Sequence, residues 1–164
     1  MAWPAASYLV TKRDASLSEM ALRLTRRLFN LTPTEAADLV LAQWNLLAAL
    51  WTVRRRPPGE LLRLVNEAPP DNGARNAAQL ERLATAVDRV ARFGVFRPTC
   101  LVRAVALERQ IRRANAGPAV VRIGVRPVSG KLLAHAWIEL DGRVVGDDPA
   151  RVRRYTPLRD FSAL

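Results

Sequence analysis

Cys100 and His135 are the only cysteine and the only histidine among the 164 residues of this chain. A deprotonated thiol attacks carbonyl carbon, an imidazole can take the thiol's proton, and a carboxylate can hold that imidazole in the required tautomer. Two carboxylates, Asp147 and Asp148, stand shortly after His135. The three residue types together spell acyl-transfer chemistry, with Cys100, His135 and one of the two aspartates as the candidate catalytic set. A single thiol excludes an internal disulfide and a zinc site with two or more cysteine ligands. No metal site or cofactor motif is legible and no cofactor is expected; no phosphate-binding glycine loop is present, so the chain itself does not reveal whether ATP is needed.

The elements that must position these groups follow from local signals. Gly94 to Pro98 break a preceding helix, and Thr99 is a good N-cap. Cys100 then falls in the first turn of a helix running to about Asn115. The unpaired N–H groups and macrodipole of a first turn favour negative charge, both on a thiolate and on the oxyanion of a tetrahedral intermediate. Residues 119–127 are rich in β-branched types and read as a strand, Ser129-Gly130 as a turn, and residues 132–140 and 143–147 as two further strands around Asp141-Gly142. Alternation places Leu133, His135, Trp137 and Glu139 on one face, and Ala134, Ala136, Ile138 and Leu140 on the other, where the two alanines would admit a close helix.

Hairpin register decides which aspartate meets His135. A two-residue loop pairs Leu140 with Arg143 and sets His135 opposite Asp148. A three-residue loop with a bulge at Gly142 pairs Glu139 with Arg143 and sets His135 opposite Asp147. The second register opposes Glu139 to Arg143 and Trp137 to Val145, both favourable cross-strand pairs, and on that ground Asp147 is preferred. The other aspartate then serves as a turn or cap residue before Pro149.

The front half of the chain is helical in pattern. Residues 1–16 read as loose and Ser18 to Leu31 as a helix. Thr32-Pro33-Thr34-Glu35 signals a helix start, and the helix ends at Arg54-Arg55-Arg56-Pro57-Pro58. Apolar residues occupy most of its circumference, so neighbours are expected on several sides. A short helix around Glu60 to Asn66, a loop at 68–73 and a helix from Asn76 to Arg92 complete this half. The longest apolar stretch, Ala36 to Val53, contains Asp38, Gln43 and Asn45 and reads as a core helix rather than a membrane span.

Composition bounds the setting. The chain is 49 % hydrophobic, enough for a core, and carries a net charge of +11. Residues 1–96 hold 13 basic and 9 acidic residues, and residues 97–164 hold 13 and 6, so the part bearing the candidate site is the more basic. Such a balance fits an acidic peptide or partner, and equally a solvated arginine-rich surface; no nucleic-acid signature accompanies it. The lone cysteine and the N-terminal sequence, which does not read as a signal peptide, lead us to expect a cytoplasmic protein.

Three stretches carry a resemblance: Arg97-Pro98-Thr99-Cys100-Leu101-Val102-Arg103-Ala104, Val121-Arg122-Ile123-Gly124-Val125, and Ala134-His135-Ala136-Trp137-Ile138-Glu139 continuing to Asp147. Over about residues 93–158 the sequence resembles the lasso-peptide leader peptidases, the bacterial transglutaminase-like B proteins within the papain-like cysteine peptidases. The resemblance implies an α+β fold: a helical region, residues 1–93, packing on a transglutaminase-like core, residues 94–164, of a helix and an antiparallel sheet. It implies Cys100 as nucleophile, His135 as base and Asp147 as orienting acid. It also implies a leader–core precursor as substrate, a separate winged-helix leader-recognition protein as in the split form of the family, and an ATP-dependent lasso cyclase acting on the freed amine. Two other readings use the same residues: an acyltransferase or transglutaminase with the same triad, and a basic binding protein in which the three residues are incidental.

Overall fold

The structure, a computed structural model, describes residues 32–57, 60 and 76–158. The loose start, the helix over 18–31, the rest of the short helix after Glu60 and the loop over 68–73 lie outside these residues. The chain divides into two units, Met1–Ala36 and Ala37–Leu164. Of the first, only the start of helix α1 (Pro33–Arg55) is described. Its opening turn is a reciprocal cap: the Thr32 N–H donates to Glu35 Oε2 at 2.9 Å, and the Glu35 N–H donates to Thr32 Oγ1 at 3.3 Å.

In the second unit, α1 buries Asp38, Ala42, Asn45, Leu46, Ala49 and Thr52, a set that recurs at helical spacing on one side. Polar links fix that side. Gln110 Nε2 donates to the Asp38 carbonyl, Arg109 Nη2 donates to Thr52 Oγ1 at 2.7 Å, and Arg82 pairs with the Asp38 carboxylate at 2.7 Å. The opposite side differs from the sequence expectation of neighbours on several sides. Val40, Leu41, Trp44, Leu47 and Trp51 are exposed, Trp44 and Trp51 by 62 % each. By length and composition alone α1 could cross a membrane. Its buried Asn45 and Thr52 and its paired Asp38 show one face committed to a protein core instead.

Helix α2 (Ala77–Phe93) starts where Asn76 accepts the Gln79 N–H at 3.1 Å, and its N-cap is therefore Asn76. It ends at Gly94, whose N–H returns to the Val90 carbonyl at 2.7 Å. A Cβ at Gly94 would lie 2.4 Å from that carbonyl oxygen, so the close return needs glycine. Helix α3 (Cys100–Arg113) is capped by Thr99, as its sequence predicts, and ends where Asn115 turns left-handed with φ 51°.

Strands β1 (Ala119–Val128), β2 (Lys131–Leu140), β3 (Arg143–Val145) and, after the short helix α4 (Pro149–Val152), β4 (Thr156–Pro157) form one antiparallel sheet in the order β3-β2-β1-β4. The fold class is α+β, helices followed by an antiparallel sheet. Ala136, Ile138, Leu140, Ala119 and Val121 join Leu80, Leu83, Val87, Val102, Leu107 and Ile111 in a single core cluster. The sheet thus turns its Ala136–Leu140 face to the helices. Ala134 stays exposed, so of the two small residues only Ala136 meets that core.

Candidate active site

Cys100 opens α3. Thr99 satisfies two amides of the first turn: its hydroxyl accepts the Val102 N–H at 3.4 Å and its carbonyl accepts the Arg103 N–H at 3.0 Å. The Cys100 and Leu101 N–H groups have no acceptor among the described residues, and remain available to an oxyanion. The side chain is partly buried against the edge of the core cluster.

His135 is flanked by Trp137 of its own strand and by Tyr155, the residue just before β4. Its ring lies 6.2 Å from Trp137, with the two planes inclined at 24°, and 5.2 Å from Tyr155. Trp137 is 2 % exposed and anchored: its Nε1 donates to Glu139 Oε1 at 2.9 Å, while Arg122 Nε donates to Glu139 Oε2 at 3.2 Å. Gly124, the β1 partner of His135, makes room for this indole, because a Cβ there would stand 2.7 Å from its ring. The alternation of His135, Trp137 and Glu139 was visible in the sequence, but not their linkage. Tyr155 gave no signal, since it lies in the short turn between α4 (Pro149–Val152) and the two-residue β4.

The sequence register for β2–β3 is corrected by the structure. Leu140 pairs with Arg143, Glu139 with Val144 and Ile138 with Val145. The loop has two residues, and Asp141 and Gly142 both take positive φ, 50° and 76°, as a type I′ turn requires. The expected pairs Glu139–Arg143 and Trp137–Val145 do not form; Glu139 takes Arg122 from the other neighbouring strand instead. In this register a regular strand would bring Asp148 to His135. The strand stops at Val145, and Gly146, with φ 72°, turns the chain one residue early. Gly146 is tucked so tightly that a Cβ would lie 2.7 Å from Leu107 and 3.3 Å from Ala84. Asp147 is the residue delivered to His135 as a result, with His135 Nε2 and Asp147 Oδ2 2.7 Å apart.

Each aspartate has a distinct task. Asp147 Oδ1 accepts the Asp148 N–H at 2.7 Å, and Arg151 stands 3.6 Å from the same oxygen. Asp148 caps α4, accepting the Ala150 N–H at 2.9 Å. With Nε2 facing a carboxylate, that nitrogen carries the proton and Nδ1 is left as the acceptor.

Cys100, His135 and Asp147 all line one cavity of about 30 Å³, beside Arg103 and Asp88, which pair at 2.9 Å. Among the described residues no hydrogen bond joins the thiol to the imidazole. No group of metal-ligating side chains occurs among them either. A thiol at a helix start, an imidazole on a strand and a carboxylate just past the end of the next strand are the groups with which an acyl transfer can be divided into two steps.

The family model of the transglutaminase-like superfamily matches residues 43–160. None of the curated proteins and none of the solved structures compared matches the chain. The match spans the three cavity residues and begins inside α1. The chain belongs to the transglutaminase-like superfamily, which includes cysteine peptidases and acyltransferases.

Proposed function

We propose that this protein is a cysteine endopeptidase that removes the leader from a ribosomally made lasso-peptide precursor. The observation that carries the reading is the 2.7 Å His135–Asp147 pair in the same small cavity as the chain's only thiol. Within the superfamily's chemistry, the resemblance around Cys100 and His135 supports leader removal.

In this reading Cys100 Sγ passes its proton to His135 Nδ1 and attacks the carbonyl carbon of the last leader residue. The Cys100 N–H helps hold the oxyanion. The C–N bond breaks, the imidazolium returns its proton to the core's new amine, and the leader stays on sulfur as a thioester. Water, deprotonated by the same imidazole, then releases the leader carboxylate. Asp147 keeps Nε2 protonated throughout and stabilises the imidazolium. The freed amine is what a separate cyclase needs to close a macrolactam. A separate leader-recognition protein presents the precursor, and the basic surface suits that partner or an acidic leader.

Incubation with a precursor and its recognition protein, read by mass spectrometry, tests this. Wild type releases leader and core, and Cys100→Ala releases neither. Cleavage by Cys100→Ala at the wild-type rate refutes the assignment. The superfamily match also supports acyl transfer to an amine. Added amine distinguishes the two: hydrolysis yields a leader carboxylate, transfer yields a leader amide.

A further inference from the structure

The catalytic cavity, about 30 Å³, has room for one or two water molecules and so for little beyond the reacting group. It opens into a much larger cleft of about 740 Å³ between α2 and the β2–β3 hairpin. The two share Ala84, Asp88, Arg103, Val145, Gly146 and Asp147 in their walls, so the cleft is continuous with the site. Its volume lies within the range of ligand-binding clefts.

One wall of this cleft is a sheet edge. β3 is the outermost strand in the order β3-β2-β1-β4. The closing pair of a two-residue hairpin, here Leu140–Arg143, exchanges both its hydrogen bonds. The next pair, Glu139–Val144, then exchanges none, and the Val144 N–H and C=O point away from β2. Those two groups have no partner among the described residues, and Val144 lines the cleft. Opposite them the α2 wall offers Leu80, Ala84 and Thr85. An unpaired donor and acceptor on one edge residue, facing an open cleft that shares its walls with the cavity of the thiol, match an extended backbone better than a compact ligand.

We infer that the cleft binds the substrate as an extended polypeptide, which adds to the sheet as a short strand paired to Val144. The inference rests on the reading of Cys100 as the nucleophile. It adds that recognition here is through backbone hydrogen bonds and therefore tolerant of side-chain identity, leaving sequence selection to the recognition protein.

Two thiol reagents test it on the full chain. Iodoacetamide needs only a reactive Cys100, whereas tetra-alanyl chloromethyl ketone must also occupy the cleft. Val144→Pro removes the outward N–H without touching a ladder bond, and proline is tolerated on an edge strand. Thr85→Trp narrows the cleft from the α2 side, where Thr85 is exposed. The ratio of peptidyl-ketone inactivation to carbamidomethylation is expected to fall about fivefold in Val144→Pro, the loss of roughly one hydrogen bond, and to fall in Thr85→Trp because the indole occupies part of the cleft. A ratio unchanged in both variants overturns the inference and leaves the nucleophile assignment standing. A Cys100 inert to both reagents in wild type removes the proposed function and this inference together.

Discussion

At the scale of single residues, the site is a set of partnered oxygens and nitrogens with one proton acceptor left over. Asp147 and Asp148 are neighbours in sequence, yet one binds imidazole and the other a helix amide. Their substitutions should therefore diverge. Asp147→Asn leaves a neutral partner that cannot stabilise the imidazolium, and kcat for leader cleavage should fall on the order of a hundredfold or more. Asp148→Ala should cost about 1 kcal/mol of stability, the loss of one cap, with a far smaller drop in kcat. Thermal unfolding and steady-state kinetics on the two variants check both halves. Behind the imidazole, Glu139→Leu strands the buried Trp137 N–H and the Arg122 guanidinium that it holds. A destabilisation of about 1–3 kcal/mol is expected, with loss of the near-ultraviolet dichroism of Trp137. Equal denaturation midpoints for wild type and Glu139→Leu would contradict this.

At the scale of elements, caps and turns were legible because their chemistry is local. Thr99 and the pair Thr32–Glu35 each announce a helix start within four residues, and each does cap in the structure, while Asn76, read as the first residue of its helix, is the cap of a helix that starts at Ala77. The β2–β3 register was not legible. Its two candidates differ by one residue, and the cross-strand pairing of Glu139 with Arg143 pointed to the wrong one, because Arg122 on β1 competes for the same carboxylate. Nor could the sequence show that Gly146 would end β3 early, since that depends on Leu107 and Ala84 arriving from two helices. Gly146→Ala should therefore be costly twice over, through φ 72° and through contact with Leu107, at about 1–3 kcal/mol. Leader cleavage should fall with it, as Asp147 is displaced.

Helix α3 also carries a pH-sensitive group away from the site. Burial pushes the Glu108 carboxyl above its ordinary value, against the opposing pull of Arg112 and Arg109. The folded protein thus holds this proton more tightly than the unfolded chain. The associated stability is fully present below the ordinary carboxylate range and is lost as pH rises through the folded value. Glu108→Gln does not titrate. The melting temperature of wild type minus that of Glu108→Gln should fall as pH rises through the carboxylate range, and a difference that is flat or rising with pH would count against it.

At the scale of the whole molecule, the α+β architecture followed from a helical front half and a β-branched back half, and the superfamily match covers residues from both. What composition could not convey is where α1 faces. Its apolar residues fill most of the circumference, but the described core takes up only one side and leaves Trp44 and Trp51 exposed. The charge of +11 bears on association: with an acidic leader or partner, cleavage by the assembled system should weaken as salt is raised. Sulfur, imidazole and carboxylate acting as one unit is the claim on which the rest depends. It is tested most directly by the rate of Cys100 carbamidomethylation by iodoacetamide at neutral pH in wild type and in His135→Ala. The account predicts a fall of about tenfold or more when the imidazole is removed from a folded protein. Equal rates in the two proteins would contradict it.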